Sequence, residues 1–509
     1  MRALLDQPGR NPAPASLPGF AWALVLGVAV AMAVVLTVVS GRYGFHRDEL
    51  YFLAAGAHPA LGYVDQPPLT PLLARLSTAV FGATPAGLRV VETVTGAGTV
   101  MLTGLMAREM GARRGGQVLA AAAVAGSAYV LVASHMVATA SVDLLVAAGL
   151  GWLVLRLLRT GQARWWCAIG AVVAVGLFTK DLVLLYGGAF GASVLAAGPR
   201  ETLRSRWLVL GAVIAVAGLV PNVVWQAGHG WPEYTVATGI SATDGRRNRL
   251  LFIPEQLVYL SPVLVPVWVA GLGQLMRDPA LRWARPTALA YLIGALVVLG
   301  VGGKPYYVLP LLLAPLAAGA QPVLDWVARN RTRRAVGAAT GMVGLAVSAV
   351  IALPLLPVGL LAHTPIPAIN PELGEQIGWP ALTDAVAVGW ARIPPAQRPT
   401  AVIFTGNYGE AGALVHDAGR LGLPAPFSGH MSFATWGPPP EGATGPVVLV
   451  HRATNTHLQT YFQTYFRDCH TIATIDTGIT NQEQGAVVAL CSGTTASWPR
   501  LWPALRHYY

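Results

Sequence analysis

A short stretch near the start of the chain, residues 46–69, concentrates side chains that could carry out proton transfer. It places Arg47, Asp48 and Glu49 side by side and Asp65 just before two prolines, in a chain of 509 residues of which only 11% are charged. The stretch directly follows the first long apolar segment. Ionisable groups at a membrane edge are costly enough that function is the first hypothesis for them. The alternative is a structural ion pair between Arg47 and Asp48 at a helix start.

The composition is typical of a protein with many membrane spans. Hydrophobic residues make up 54% of the chain, well above the share in soluble domains. There are 34 basic and 23 acidic side chains, and only two of the basic ones are lysines, Lys180 and Lys304. In a membrane protein the positions of the charges say more than a net charge of +11, so no nucleic-acid partner is expected. Arg2 and Arg10 precede an apolar run without a small-residue cleavage site, which predicts an uncleaved first span.

Eleven apolar segments have about the length that a membrane span requires. They lie near residues 20–40, 88–107, 116–133, 136–158, 164–178, 182–198, 207–225, 256–276, 284–301, 305–322 and 335–358. Arginine clusters follow each even-numbered segment, which places the N-terminus inside by the positive-inside rule. The exception is the group Arg246, Arg247 and Arg249, after the seventh segment. We therefore expect a multi-pass protein of the cell membrane with a cytoplasmic N-terminus and an external C-terminal domain.

This topology places several chemically capable residues together on the external face. Residues 41–87, both lysines and everything beyond 358 lie there. A lysine at the end of a span often only extends its ammonium to the interface, but two lysines on the face of Asp48 and Asp65 indicate an anion site. Two point charges could hold a lipid phosphate while a carboxylate takes the proton of an attacking hydroxyl. An external site has no sugar nucleotide at hand, so the activated sugar would arrive on a polyprenyl phosphate.

Two external segments are predicted to surround this site. Pro67 and Pro68 start a helix over about residues 68–81 whose leucines share one face, so we expect it to lie in the outer interface and to fix Asp65 at the membrane surface. The second segment is a loop over 226–255. Its aromatic side chains are either interfacial belt residues or contacts for the acceptor: Trp225, Trp231 and Tyr234.

Beyond residue 359 the pattern changes to that of a soluble α/β domain. Strands are predicted from their β-branched content at 400–406, 446–452 and 485–491. A proline-rich linker over 354–380 suits a stiff boundary between the two parts. Cys469 and Cys491 pair if this domain is extracytoplasmic, or remain free thiols.

Three glycines follow the first of these strands, Gly406, Gly409 and Gly412. Their spacing is that of a phosphate-cradling loop. A turn from a strand into a helix, however, needs glycines for its own geometry, and this simpler explanation is favoured.

Four motifs in this order resemble a known family. They are RDE after the first span, DQPPL at 65–69, FTK at 178–180 and GGKPYY at 302–307. The chain is similar here to the GT-C glycosyltransferases of the dolichyl-phosphate-mannose protein mannosyltransferase family, glycosyltransferase family 39, and to their aminoarabinose-transferring relatives. The similarity covers about residues 20–325, and NPELGEQIGWP and FTGNYGEAGAL recur in bacterial members. It implies a polytopic α-helical GT-C fold of about 11 transmembrane helices over residues 1–358, with 41–87 as first external loop and an extracytoplasmic α/β domain over 359–509.

The resemblance also implies roles for the acids. Asp48 matches the aspartate that deprotonates the acceptor, and Glu49 is its neighbour in the catalytic pair. Asp65 matches an acid that in some relatives binds a divalent metal ion, which is the one candidate cofactor. His135 is a further candidate ligand, with a satisfied core histidine as the alternative. Asp143 resembles another acid of the family, or else is a buried aspartate paired with Ser141 or His135.

The donor phosphate is assigned to basic residues. Relatives carry a lysine after the acid of the PPL motif, where this chain has Gln66. Because a glutamine replaces that lysine, we expect Lys180, Lys304 and Arg47 to contact the phosphate. Gln66 and Tyr306 remain candidates for other contacts.

The function predicted from these residues is an inverting transfer of a sugar, with mannose expected, from a polyprenyl phosphate to a hydroxyl acceptor outside the membrane. The acceptor is a protein, a glycolipid or a secondary metabolite, and membrane lipid is the remaining partner. A lipid-linked sugar transporter or flippase is the alternative, but such a protein should show inverted repeats, and no internal symmetry is visible. In a third hypothesis the C-terminal domain is the active part and the spans only anchor it. This is disfavoured because an anchor does not need ten or more spans.

Overall fold

The computed structural model of this protein describes residues 17–452 and 462–508. Arg2 and Arg10 lie outside the described residues. Within the described part, seven helices are long and apolar enough to cross a membrane, or nine if each of two bent helix pairs counts as one span. The expectation of a polytopic helical membrane protein is confirmed.

Sixteen α-helices build the membrane region and its loops. They are α1 (Trp22–Val39), α2 (Arg47–Ala57), α3 (Leu69–Phe81), α4 (Pro85–Leu88), α5 (Val90–Glu109), α6 (Arg114–Ala125), α7 (Ala128–His135), α8 (Thr139–Thr160), α9 (Trp165–Leu177), α10 (Leu182–Ala197), α11 (Arg206–Gly228), α12 (Pro232–Tyr259), α13 (Val265–Arg277), α14 (Arg285–Val301), α15 (Leu313–Val327) and α16 (Arg331–Ala352). The bent pairs are α6–α7, at 60°, and α12–α13, at 79°. Short 3-10 turns at Pro279–Ala284 and Pro305–Leu312 extend α14 and α15 to span length.

The predicted count of eleven spans is too high by the length criterion. The segments predicted near 164–178 and 182–198 form α9 and α10, of 13 and 16 residues, which are shorter than the roughly 20 residues that a span needs. The chain leaves the helix between them at Thr179–Lys180–Asp181. This break places Lys180 in a loop, where its side chain can reach a site.

The loop predicted over 226–255 is wrong, because most of it is the 28-residue helix α12. The segment is polar, but its polar side chains leave the backbone hydrogen bonds of the helix intact. The real interruptions are single residues with positive φ, Trp231 at 58° before the helix and Ser261 at 95° after it. Ser261 lies at the 79° bend between α12 and α13.

Helices α2 and α3 follow the first span, as predicted. A capping box starts α2, in which His46 accepts the Asp48 N–H and Glu49 accepts the His46 N–H. In α3 the polar side chains of Thr70 and Ser77 are buried against the protein. Its opposite face exposes apolar side chains, namely Leu72, Leu76, Val80 and Phe81. An exposed apolar face on a helix of 13 residues fits the predicted position in a membrane interface.

The C-terminal region is built around a mixed five-stranded sheet with strand order β2-β1-β3-β6-β5. The strands are β1 (Val402–Thr405), β2 (Phe427–Ser428), β3 (Val447–His451), β4 (Phe466–Arg467), β5 (His470–Thr474), β6 (Val487–Cys491) and β7 (Gly493–Thr494). The helices are α17 (Val358–Leu361), α18 (Ile366–Ile369), α19 (Trp379–Ala391), α20 (Tyr408–Leu421) and α21 (Trp498–Leu505). Strand β1 is parallel to β2 and β3, whereas β6 is antiparallel to both of its neighbours. The three predicted strands are present as β1, β3 and β6, and Cys469 forms a disulfide with Cys491.

The two regions meet where α20 packs on α2. A Cβ at Gly412 would lie 2.8 Å from the carbonyl oxygen of Leu50, and one at Gly409 would lie 3.3 Å from the Cβ of Arg47. Only a residue without a side chain lets these helices approach so closely at Gly412. Gly409 and Gly412 therefore serve the packing of α20 on α2, a role that neither the phosphate-cradling loop nor the strand-to-helix turn predicted. The division of the chain at residue 359 stays a prediction.

Candidate active site

Asp48 lies in the first turn of α2, with its side chain 35% exposed. Its Oδ1 accepts a hydrogen bond of 2.6 Å from the hydroxyl of Tyr408, at the start of α20. Its other neighbours are basic: His46 Nδ1 and Arg47 Nε each lie 4.0 Å from a carboxylate oxygen. The base predicted from the sequence is therefore oriented by a residue of the C-terminal region.

The surroundings of Asp48 keep its carboxylate ionised. Burial alone would raise its pKa, but the charges of His46 and Arg47, the Tyr408 hydrogen bond and the charge of Lys304 outweigh burial and hold the pKa below its ordinary value. Burial raises the pKa of Tyr408 well above its ordinary value despite the charge of Arg47, so its hydroxyl remains a donor. A carboxylate of this kind is ready to accept a proton at neutral pH.

The two lysines of the chain join Asp48 at one site. Lys180 lies over the rings of Tyr307 and Tyr306, with its Nζ 5.1 and 5.8 Å from their centroids. Burial lowers the pKa of Lys180, and the charge of Lys304 lowers it further against the attraction of acidic neighbours that include Asp48. Two ammonium groups that repel each other in this way form a place where an anion is stabilised. The charges of Asp48 and Lys304 both act on Lys180, and the role of the two lysines at a phosphate stays a prediction.

Asp65 accepts a hydrogen bond of 2.6 Å on its Oδ1 from the hydroxyl of Tyr51. Burial raises the pKa of Asp65 to about 6, and the charge of Asp48 adds to this, against the Tyr51 hydrogen bond and Lys180. The Tyr51 hydroxyl also lies 2.6 Å from the Oγ of Ser432. The loop that carries Asp65 is thus tied to the C-terminal region, as Asp48 is.

The candidate metal ligands do not form a ligand set. Across residues 17–452 and 462–508 there is no group of three or more His, Cys, Asp or Glu side chains arranged to hold a metal ion. His135 is 2% exposed and ends α7 with both ring nitrogens lacking a hydrogen-bond partner, and Gln66 is equally buried with a side-chain amide that lacks one. These residues therefore do not fit a metal centre made by this chain alone.

Asp143 is buried in α8 and accepts a hydrogen bond of 2.6 Å from Tyr186. The suggested pairing with Ser141 is wrong, because the Ser141 hydroxyl bonds to Glu92 instead. The negative charge of Asp143 also attracts the ammonium group of Lys180. The ring of Tyr306 also lies beside Lys180, and it packs edge-on against the ring of Tyr307.

Glu49 is fully buried and takes no part in this cluster, which corrects its predicted catalytic role. Both of its carboxylate oxygens are bonded to the guanidinium of Arg89, at 2.8 and 2.7 Å. They also accept the backbone N–H groups of Val137 and His46. A carboxylate with four such bonds and no exposure has no capacity left for a substrate.

Arg47 also departs from its predicted role as a phosphate contact. Its guanidinium stacks on the ring of Tyr408, 4.6 Å from the centroid, and the side chain is 7% exposed. The charges that act on it are those of Asp48 and two acids of the C-terminal region, Glu375 and Glu483. Arg47 therefore holds α20 against α2.

Known proteins share part of this sequence and this fold. Residues 65–225 match the family model described as dolichyl-phosphate-mannose-protein mannosyltransferase. The crystal structure of ArnT from Cupriavidus metallidurans bound to undecaprenyl phosphate superposes with a TM-score of 0.57 at 16% identity, covering 92% of this chain and 98% of that one. The apo structure of the same protein gives 0.57 at 17% identity, covering 92% and 97%. The chain has an ArnT-like GT-C fold. No curated protein matches it significantly in sequence.

The resemblance that the motifs indicated is thereby confirmed for the GT-C fold, and the mannosyltransferase family model matches residues 65–225. The fold match extends over nearly all of the chain, including the C-terminal region where the sequence resemblance was less distinct.

The sequence analysis missed the residues of this candidate site that come from the C-terminal region. Tyr408 reaches Asp48, and Glu372 of the 3-10 turn Pro371–Gln376 reaches His46 at 2.9 Å. Both belong to the motifs that recur in bacterial members, NPELGEQIGWP and FTGNYGEAGAL. The motifs were the available signal, but Tyr408 and Asp48 are 360 positions apart, and only the fold shows that they touch.

Tyr408→Phe is expected to shift the acidic limb of the pH dependence of kcat/KM to higher pH. The hydroxyl of Tyr408 lowers the pKa of Asp48 by its hydrogen bond, so its loss raises that pKa and protonates the base at a higher pH. At neutral pH the carboxylate stays ionised in both proteins, so a loss there, of at most roughly 10-fold, reflects only the orientation that the hydrogen bond gives to Asp48. A pH–rate profile measured with both proteins checks this. An unshifted limb would contradict the role of the hydroxyl, and Tyr465→Phe, elsewhere in the C-terminal region, is the control.

Proposed function

We propose that this protein is an inverting glycosyltransferase that moves mannose from a polyprenyl phosphate to a hydroxyl acceptor on the external face of the membrane. The observation that carries the proposal is one cluster in a GT-C fold, in which the charges of Asp48, Lys180 and Lys304 act on one another. A base for the acceptor and a pair of cations for the leaving phosphate are the two groups that such a transfer requires.

The reaction is a single displacement at the anomeric carbon of the sugar. Asp48 takes the proton of the acceptor hydroxyl as its oxygen attacks that carbon. The bond from the anomeric carbon to the phosphate oxygen breaks, and its electron pair leaves with the lipid phosphate. Lys180 and Lys304 stabilise the charge that develops on the phosphate. One attack from the face opposite to the leaving group inverts the configuration.

The names of the matching proteins support the proposed donor class. The matching family model is named for dolichyl-phosphate-mannose, and the structure of ArnT that this fold resembles is bound to undecaprenyl phosphate. Both names contain a polyprenyl phosphate, and the first supports mannose as the sugar. The acceptor remains a protein hydroxyl, a glycolipid or a secondary metabolite.

The external location is supported by two observations. The arginine clusters lie on the opposite ends of the spans from the site. The disulfide between Cys469 and Cys491 is typical of a region in an oxidising compartment. If the C-terminal region lies outside the cytoplasm, Asp48 lies outside as well, because Tyr408 contacts it directly. The two lysines then lie on the same side.

A comparison of membranes from cells with and without the gene tests the function. The membranes are given polyprenyl-phosphate mannose with an isotopic label, and the products are searched by intact mass for an added hexose. The proposal predicts a labelled product and release of polyprenyl phosphate only where the gene is present. Movement of the intact donor across the membrane, with no new glycoside, would instead favour a flippase.

Lys304→Met is expected to raise the KM for the polyprenyl-phosphate donor by about 10-fold, which corresponds to ~1.4 kcal/mol. The reason is the loss of one of two positive charges at the phosphate, so the KM for the acceptor should change little. Initial rates measured across donor concentrations check the prediction. Arg331→Met, at the exposed start of α16, is the control, and an unchanged donor KM in Lys304→Met would remove Lys304 from the phosphate site.

A further inference from the structure

A groove of about 250 Å³ lies between α8, α9, α10 and α11, away from the candidate active site. Lys180 marks the site end of α9 and α10, because it lies in the break between them. The groove is lined by the later parts of α8 and α10 and by the earlier parts of α9 and α11. On α10 it extends over residues 187–194, about 8–18 Å along the axis from the start of that helix. The proposed transfer leaves this groove without a role.

Glycines give the groove its shape. Helices α9 and α11 approach each other closely, because a Cβ at Gly170 would overlap the backbone of Gly211. On α10, by contrast, a Cβ at Gly187 or Gly191 would meet no neighbouring atom within 4 Å in the described part of the chain. These two glycines lie one turn apart on the face of α10 that lines the groove. The pair of α9 and α11 therefore forms one wall, and the missing side chains of α10 leave the space open.

The chemistry of the groove fits a hydrocarbon chain. Its lining consists of Leu, Val, Ile, Ala, Gly, Phe and Trp residues. Trp166 contributes a ring nitrogen, but its Nε1–H donates to the carbonyl oxygen of Thr202 at 2.8 Å, so it is already used. An apolar space of this kind does not hold water. Within a membrane the gain from filling it is van der Waals contact, which an acyl chain can make with the lining side chains.

Arginines adjoin the groove where the chain passes from α10 to α11. This connection contributes Leu203 to the lining, and Arg204 follows it directly. Arg206 begins α11, and both arginines are exposed. Residues 199–206 contain three arginines and one acidic residue. Basic pockets between spans favour the head groups of anionic lipids, so the charge beside the groove complements a phosphate.

We propose that this groove binds an anionic phospholipid of the membrane, with an acyl chain between α10 and the pair of α9 and α11, and with its phosphate on Arg204 and Arg206. The apolar lining accepts the chain of any lipid, whereas the positive charge beside it selects an anionic head group. A guanidinium can bind a phosphate through two parallel hydrogen bonds. With the active site on the external face, as proposed above, this lipid belongs to the cytoplasmic leaflet. Its binding does not depend on the transferase reaction.

Lipid titrations of the purified full-length protein, followed by native mass spectrometry from a neutral detergent, test this site. We expect dioleoyl phosphatidylglycerol to bind at least about 10-fold more tightly than dioleoyl phosphatidylcholine. Gly191→Leu fills the groove, and Arg204→Gln/Arg206→Gln removes the two charges beside it. Each variant should bind phosphatidylglycerol at least about 10-fold more weakly. Gly187→Leu is a second filling variant, and circular dichroism shows which variants are folded.

The controls carry the same substitutions away from the groove. Gly188→Leu adds a side chain on an exposed face of α10, and Arg329→Gln/Arg331→Gln removes two exposed arginines before and at the start of α16. Both should keep the affinity for phosphatidylglycerol. Equal weakening in this arginine control, equal affinity for the two phospholipids, or unchanged binding in the folded filling variants would overturn the site. If Gly191→Leu weakens undecaprenyl phosphate instead of phosphatidylglycerol, the groove holds the tail of a polyprenyl lipid and the proposal is likewise wrong.

Discussion

Asp48→Asn is expected to lower kcat at least about 100-fold while the protein stays folded. General-base catalysis contributes on the order of 10²–10⁴ in rate, and an amide cannot take the acceptor proton. The amide oxygen can still accept the hydrogen bond of Tyr408, so the contact between α2 and α20 is kept. The binding of the donor phosphate rests on the lysines and should change little.

Two measurements check this expectation together. Transfer of labelled mannose from a polyprenyl phosphate gives kcat, and thermal unfolding in detergent shows whether the variant is folded. Asp476→Asn is the control, because Asp476 carries an exposed carboxylate in the C-terminal region, away from the site. A folded Asp48→Asn protein with full activity would refute the base assignment.

The sequence predicted the parts of the site that come from the membrane region. Asp48, Lys180 and Lys304 could be grouped because the positive-inside rule and hydropathy define which loops share a face. The strands of the C-terminal region were visible in their β-branched content, and β1, β3 and β6 lie where expected. These signals are local, so a single sequence displays them.

The contacts between the two regions could not be predicted. Tyr408 and Glu372 reach α2 through tertiary packing, and nothing near them in the chain shows which surface they will face. The role of Glu49 failed for the same reason, because its partner Arg89 lies 40 positions away. An acid in a functional motif looks the same in the sequence whether it meets substrate or a buried arginine.

That buried pair carries the second large prediction. Arg89 is 1% exposed and Glu49 is fully buried. Besides Glu49, the guanidinium bonds to the carbonyl oxygens of Ser40 and Gly44 and to the side chain of Gln376. Arg89 therefore joins the end of α1, the start of α2 and the linker to the C-terminal region.

Arg89→Met is expected to lower the free energy of unfolding by about 3–5 kcal/mol, the cost of leaving a buried charge without its partner. Glu49→Gln should also destabilise, because it leaves the arginine charge in place. Thermal unfolding of the purified variants checks both. Arg113→Met is the matched control: it breaks an ion pair with Asp325 whose side chains are 70% and 50% exposed, and such pairs contribute less than about 1 kcal/mol.

The double variant Arg89→Met/Glu49→Leu decides between a structural and a catalytic Glu49. When both charges are removed, no unpaired charge stays buried, so the double variant should lose less stability than the sum of the two single losses. If Glu49 only positions α2, the activity of each variant should fall in parallel with the folded fraction. A Glu49→Gln protein that is fully folded yet inactive would return this residue to the catalytic group. The bonds of Glu49 to Arg89, Val137 and His46 favour the structural outcome, because they use its oxygens before any substrate arrives.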